Sequence, residues 1–480
     1  MFTDENAFDL DQVNGTNSRN DICVAIATPP GQSGLAVIRM SGPGAAELAE
    51  PLFAPASSRF QPVSQMTGYT CAAGYITDPA DGSVIDQVVL TRFTAPRSFT
   101  GEDTIEISCH GGVAVKQSIL ALLIRHGARP AEPGEFTRRA FMNGKMDLTQ
   151  AEAVMDLISA DAARSAGNAA AQLKGHLSQL VRQDITEIYN LLASLELVLE
   201  FPEHDESDLA ADQLCRGLRP VYERLARRIA GYEQGRLLRE GLTVVLAGRP
   251  NVGKSSLLNA LSGYDRAIVT AVPGTTRDTV EELIDVQGIP VRLIDTAGLR
   301  DTTDVVEQIG VSRARQAMEQ ADLIFWLISP EEDLEADLPP DLNERTHPAL
   351  ILLISKDDLN TSMVLRQKVQ AKWPDRLVMT CSAVTGEGLI RIRDRIVSEY
   401  ESHGLDRQED VLITSSRHRH CLDKAAQAIR QAESGMRNGL TLDVAAMLLR
   451  RALEALAELT GDQVTETLID TIFSRFCVGK

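Results

Sequence analysis

The chain has 480 residues, too many for one hydrophobic core, which predicts about two to four domains. Its composition, 44% hydrophobic and 24% charged, is that of an ordinary globular protein, without an apolar run of membrane-spanning length. A formal net charge of −19 argues against a broad electrostatic footprint on nucleic acid, so any such partner must meet a local patch or come through another subunit.

Residues 1–20 are polar and acidic, without the basic start and apolar centre of a leader, and read as a disordered tail. A cytoplasmic setting without a membrane is expected. Seven cysteines, at 23, 71, 109, 215, 381, 421 and 477, show no paired spacing for zinc or a disulfide framework. From Ile22 the pattern becomes strand, turn, strand, over Val24–Thr28 and Leu35–Arg39 with Pro and Gly between. Further strands are expected at Gly68–Ile76, Val84–Phe93 and Thr104–Ser108, with a helix from Val113 that stops at Gly127. Residues 21–147 therefore read as an α+β domain.

Three polar, glycine-rich blocks interrupt it: Arg39–Gly42, Ser98–Asp103 continuing through Glu106 to Gly112, and Pro133–Thr137 continuing to Asn143–Lys145. Taken singly, each suits a turn. Together Arg39 and Lys145 could hold carboxylates while Glu106 accepts ring N–H groups, a grip for an anionic heteroaromatic ligand.

From Leu148 to Phe201 the chain reads as almost purely helical, with Val181, Ile185, Ile188, Leu192, Leu195 and Leu199 forming a packing stripe that implies a bundle. An acidic break precedes another helix to Glu240. Helical character returns over Asp410–Phe476, with Leu442, Ala446, Leu449, Leu453 and Leu456 on one face and Thr460-Gly461 as a stop. Two helical flanks, 148–240 and 401–480, suggest one discontinuous bundle carrying an inserted domain at 241–400; two separate helical domains are the alternative.

The insert contains Gly248-Arg249-Pro250-Asn251-Val252-Gly253-Lys254-Ser255, the phosphate-loop pattern, between an apolar strand and a helix starting at Ser255 and Ser256. Its N–H groups can surround a β-phosphate, Lys254 can reach the β- and γ-phosphates, and Ser255 can hold Mg²⁺. Val291–Ile294 leads into Asp295-Thr296-Ala297-Gly298, a carboxylate for the metal side and a glycine N–H able to sense a γ-phosphate. Between them lies a switch-like loop, Pro273-Gly274-Thr275-Thr276-Arg277-Asp278. Two more strands, Leu350–Ile354 and Leu377–Thr380, run into Ser355-Lys356-Asp357-Asp358 and Cys381-Ser382-Ala383. Asp358 can accept paired hydrogen bonds from guanine N1 and its amine, favouring GTP over ATP. Ser355 stands where guanine-binding motifs usually have Asn. Leu299, after Gly298, cannot orient a water, and spacing does not choose among Asp301, Asp304 and Glu307 for that task.

These motifs, the three N-terminal blocks and the ending Phe476-Cys477-Val478-Gly479-Lys480 together resemble the tRNA-modification GTPase family called MnmE or TrmE, from Ile22 onward. The resemblance implies a multidomain α/β plus α fold: an N-terminal α+β folate-binding and dimerisation domain, a discontinuous helical bundle, and an inserted phosphate-loop GTPase with a doubly wound, mostly parallel sheet. It implies potassium-stimulated GTP hydrolysis, with Asn251, Thr270, Val272 and Thr275 on K⁺, Ser255 and Thr276 on Mg²⁺, and Glu307 positioning the water. Val252, Gly253, Lys254, Ser256, Ala271, Pro273, Gly274, Thr296, Ala297, Ser355, Lys356, Ser382 and Ala383 complete the GTP set, with Arg277 and Asp278 among the catalytic candidates. One-carbon-substituted tetrahydrofolate would sit on Arg39, Glu106, Lys145 and Lys480, with Cys477 nearby as a further catalytic candidate. A homodimer, joined by an FAD-dependent partner into a heterotetramer, would modify carbon five of the wobble uridine of tRNA with an aminomethyl or carboxymethylaminomethyl group. A ribosome-assembly GTPase switch and a folate-dependent transferase acting alone are the rival readings.

Overall fold

The computed structural model describes residues 21–200, 207–264, 281–296, 315–330, 349–359, 362–402 and 411–480. The expected tail at 1–20 lies outside them. The chain divides into two compact units, one comprising residues 1–155, 173–185 and 453–480, the other 156–172 and 186–452.

The first unit is built on a seven-stranded sheet of order β3-β4-β5-β6-β2-β1-β7. The strands are β1 (Cys23–Ile26), β2 (Ser33–Ser41), β3 (Phe53–Pro55), β4 (Thr70–Thr77), β5 (Val84–Phe93), β6 (Thr104–Gly111) and β7 (Arg129–Pro130). All pair antiparallel except β1 with β7. Alternation along β2 sends Ala36, Ile38 and Met40 into a core shared with Ile105 and Ile107 of β6 and with Ile119 and Leu122 of the helix Val113–Arg125. The intervening residue Arg39 therefore points to the opposite face. In the same unit Leu148, Ala151 and Val154 bury against Ile469, Phe473 and Phe476, so helical residues from both flanks of the insert share one cluster.

The second unit holds a six-stranded sheet of order β13-β12-β11-β8-β10-β9. Its strands are β8 (Leu242–Gly248), β9 (Glu281–Val286), β10 (Ile289–Asp295), β11 (Leu323–Ile328), β12 (Leu350–Ile354) and β13 (Leu377–Thr380). Only β9 runs antiparallel, on the edge beside β10. β8, β10 and β12 are near-continuous apolar runs, as strands covered on both faces require, and they feed two cores. In this unit too the helical flanks meet: Ser207–Ala230 packs along Ser416–Arg437. Asn168 exchanges two hydrogen bonds with the Leu412 backbone, at 2.9 and 3.1 Å, and Gln172 adds a third. Within each unit, therefore, helical residues from before the insert pack on helical residues from after it.

Leu148–Glu200 is almost purely helical, as expected, in three helices, Leu148–Ile158, Ala163–Leu173 and His176–Glu200, the last break passing through Gly175 at φ 83, while Phe201 lies outside the described residues. The proposed stripe holds in part: Val181, Ile188, Leu192 and Leu195 are buried, but Leu199 is 39% exposed one residue before the helix ends at Glu200, and Asp184 rather than half-buried Ile185 faces inward. At about 100° per residue the buried face is centred between Ile188 and Leu195, which leaves Ile185 at its margin and brings Asp184 under it. Among the described residues, no helix is long and apolar enough to cross a membrane.

Candidate functional site

β8 lies between β10 and β11, which continue to opposite edges of the sheet, so the crevice beyond its carboxyl end is where strand order reverses. The phosphate loop leaves β8 there. Gly248 sits at φ 141, and a Cβ on it would lie 2.6 Å from the Leu327 carbonyl oxygen, so no other residue fits this turn without displacement. Asn251 adopts φ 63 and Val252 buries its side chain in the core, which fixes the loop from within. Lys254 is 4% exposed, and its Nζ donates to the carbonyls of Gly248 and Arg249 at 2.9 and 2.6 Å. The ammonium is thus held inside the arc of the loop. The helix Lys254–Tyr264 begins at this residue and carries Ser255 and Ser256 in its first turn.

At the adjacent strand end, Asp295 is 1% exposed and its Oδ2 accepts from Ser255 Oγ at 2.6 Å. Two hard oxygen donors in this proximity suit a hard divalent cation such as Mg²⁺. Thr296 Oγ1 donates back to the Leu246 carbonyl at 3.1 Å, joining the end of β10 to β8. Beyond β12 and β13, Asp358 Oδ1 accepts from Ser382 Oγ at 2.6 Å, and Ser382 in turn receives the Thr385 N–H at 3.2 Å. Lys356 is half-buried at φ 56 and Ala383 is half-buried beside Ser382. The sequence reading named Ser382 for the nucleotide; the structure shows what its hydroxyl does, which is to aim the Asp358 carboxylate. Thr270, Ala271, Val272, Pro273, Gly274, Thr275, Thr276, Arg277, Asp278, Ala297, Gly298 and Glu307 lie outside the described residues.

In the first unit the three polar blocks converge. Arg39 of β2 and Glu106 of β6 are direct cross-strand partners, and Glu106 Oε1 accepts from Arg39 Nε and Nη2, each at 2.8 Å. The guanidinium also lies over the rings of Phe99 and Phe136, at 5.2 and 5.6 Å from their centroids. Arg39, expected to meet a ligand carboxylate, is held in this structure against Glu106. Asn143 Nδ2 donates to the Thr100 carbonyl at 2.8 Å, and Lys145 Nζ to the Pro96 carbonyl at 2.9 Å, seating the third block on the second. Ser98 Oγ, next to Phe99, is buried without a hydrogen-bond partner, as is Thr28 Oγ1 at the end of the first strand region. Orphaned hydroxyls of this kind fit a polar organic ligand.

The final residues join this site. Val478 bridges Pro133, the Gly134 N–H donates to the Cys477 carbonyl at 3.4 Å, and the Phe136 N–H donates to the Lys480 carbonyl at 3.2 Å. The Cys477 thiol is exposed. Gly479 has φ 100, and a Cβ there would stand 2.5 Å from the Ile26 carbonyl oxygen. Beneath lies a charge network that sequence reading missed: Arg139 pairs with Glu102 at 2.9 Å, with Asp21 at 2.7 Å and with Glu135 at 2.7 Å, while Arg129 holds Glu135 and Asp21. Burial alone would raise the Glu135 carboxyl. Hydrogen bonds from Arg129 and the Glu132 N–H, with Arg139, outweigh it and hold the group at about 2. Burial pushes the neighbouring Cys23 thiol up to about 12, despite Arg139, so it stays protonated and inert.

Residues 148–477 match the family model described as the MnmE helical domain, and residues 22–145 match that of the GTP-binding protein TrmE N-terminus. The chain belongs to the MnmE family. Relatives named tRNA modification GTPase MnmE agree along almost the whole chain. That of Carboxydothermus hydrogenoformans is 39% identical over 464 residues, spanning 96% of this chain and 99% of the relative. Those of Heliobacterium modesticaldum and Bacillus subtilis are each 40% identical, covering 96% of this chain and 99% and 100% of their own lengths. The MnmE family likeness thus extends across both the N-terminal site and the nucleotide site.

Proposed function

We infer that the chain is a tRNA-modification GTPase. One observation carries the hydrolase part: a loop cradling the Lys254 ammonium, the Ser255–Asp295 oxygen pair and the Asp358 carboxylate fixed by Ser382 all stand at the carboxyl ends of strands in one sheet. The loop N–H groups and Lys254 bind and orient the phosphates, and Asp358 accepts from the guanine donor edge. Ser255, with Thr276, would hold Mg²⁺, which supplies charge neutralisation on the phosphate oxygens. Leu299 offers no hydrogen bond to a water. Potassium on Asn251, Thr270, Val272 and Thr275, with Glu307 positioning the water and Arg277 and Asp278 in the same switch loop, is the proposed answer.

In the N-terminal site, Glu106 would accept the ring N–H groups of a one-carbon tetrahydrofolate, with Arg39 orienting it and Lys145 and Lys480 facing the glutamate carboxylates. The proposed assembly is a cytoplasmic homodimer joined to an FAD-dependent partner, acting on carbon five of the wobble uridine. Name-level likeness to tRNA-modifying relatives and the ligand-like orphan hydroxyls support this reading. The test is steady-state GTP hydrolysis in KCl against NaCl at equal ionic strength, with Asn251→Ala and Glu307→Ala alongside. Selective K⁺ stimulation, lost in both variants, is expected. Equal rates in the two salts would overturn the potassium mechanism and move the ribosome-assembly switch forward.

A further inference from the structure

Ser355 follows β12 and is 5% exposed. Its hydroxyl lies 2.6 Å from the Val252 carbonyl oxygen of the phosphate loop and 3.3 Å from that of Ile328, while its own N–H donates to Ile328 at 3.0 Å. A serine hydroxyl has a single proton to donate, and here both oxygens in reach are main-chain acceptors, one on the phosphate loop and one at the end of β11. The shorter contact commits that proton to the phosphate loop. Three residues on, Asp358 is fixed independently by Ser382.

Guanine presents two edges, one with the N1–H and amine donors and one with the N7 and O6 acceptors. A carboxylate only accepts, so Asp358 reads the first edge alone. An asparagine at 355 would bring two amide protons, one for the Val252 carbonyl and one for N7. Serine cannot serve both. We propose that Ser355 is a positioning residue that ties the base-recognition segment Ser355–Asp358 to the phosphate loop, and that this chain recognises guanine without a contact from residue 355 to N7. The inference rests on the reading of this site as one for guanine nucleotides.

Calorimetric titration of the full chain with GDP and with 7-deaza-GDP, whose ring carries C–H in place of N7, separates the possibilities. The wild-type chain is expected to bind the two within about twofold. Ser355→Asn is expected to create a preference for GDP of about fivefold, the worth of one ordinary hydrogen bond. Ser355→Ala should weaken both nucleotides together by about fivefold, with their ratio unchanged, and Ser355→Thr, which keeps the hydroxyl, should restore the affinity. The threonine variant separates loss of the tether from loss of the fold. A wild-type chain that disfavours 7-deaza-GDP fivefold or more, with the discrimination lost in Ser355→Ala, would show Ser355 reading the base and overturn the inference. Unchanged GDP affinity in Ser355→Ala would remove the tether. Failure of the wild-type chain to bind GDP at all would overturn the guanine-nucleotide reading itself.

Discussion

The nucleotide site and the N-terminal candidate site are held in shape by different means. The phosphate loop is a contiguous stretch braced by its own main chain: Gly248 turns against β11, Val252 anchors in the core, and Lys254 donates to two carbonyls of the loop it serves. The N-terminal site is assembled from side chains far apart in sequence, and charge holds it together through Arg39–Glu106 and the Arg129–Glu135–Arg139 network. In the first, removing a functional side chain leaves the scaffold standing. In the second, the supporting side chains are themselves the scaffold.

That contrast can be broken by substitution. Glu135→Ala would leave Arg129 and Arg139 without their shared carboxylate at a largely buried position, and is expected to destabilise the first unit by about 3–5 kcal/mol, measured by urea denaturation. Lys254→Ala should behave oppositely. It should lower the GTP hydrolysis rate by about 100-fold or more, as loss of a charge-stabilising donor does, while the urea midpoint stays close to that of the wild type. A large stability loss in Lys254→Ala, or none in Glu135→Ala, would erase the distinction. The smallest effect is expected in acid. Because the Glu135 carboxyl is held at about 2, below its ordinary 4.5, its contribution is complete above 4.5 and is lost as the pH falls towards 2. Wild-type stability should therefore decline across that window more steeply than stability of Glu135→Gln, followed by circular dichroism.

The same contrast explains what could be read from the residues. The strands Val84–Phe93, Leu350–Ile354 and Leu377–Thr380 stand where alternation and apolar runs put them. The loop motif was legible because its chemistry is local: a fixed spacing of Gly, Lys and Ser between a strand and a helix leaves little freedom. Arg39 and Glu106 were legible as candidates but not as a pair, since their bond depends on the register between β2 and β6. Phe99 and Phe136 belong to blocks that were noticed for their polar residues, and only the fold places both rings beside one guanidinium. Nothing in the spacing of Asp21, Glu102, Arg129, Glu135 and Arg139 announces a network. Leu199 was misjudged because periodicity does not show where packing stops along a helix, and this one ends at Glu200.

The docked tail carries a consequence for how the molecule is made. Residues 477–480 lie against Ile26, Pro133 and Phe136, so contacts at the N-terminal site join opposite extremes of the sequence. Contacts between distant segments form late, because the intervening chain must first be brought together. The segment that supplies these contacts is therefore synthesised after all six strands of the nucleotide sheet, and a nascent chain halted between Thr380 and Cys477 holds those strands without the Gly134–Cys477 and Phe136–Lys480 hydrogen bonds.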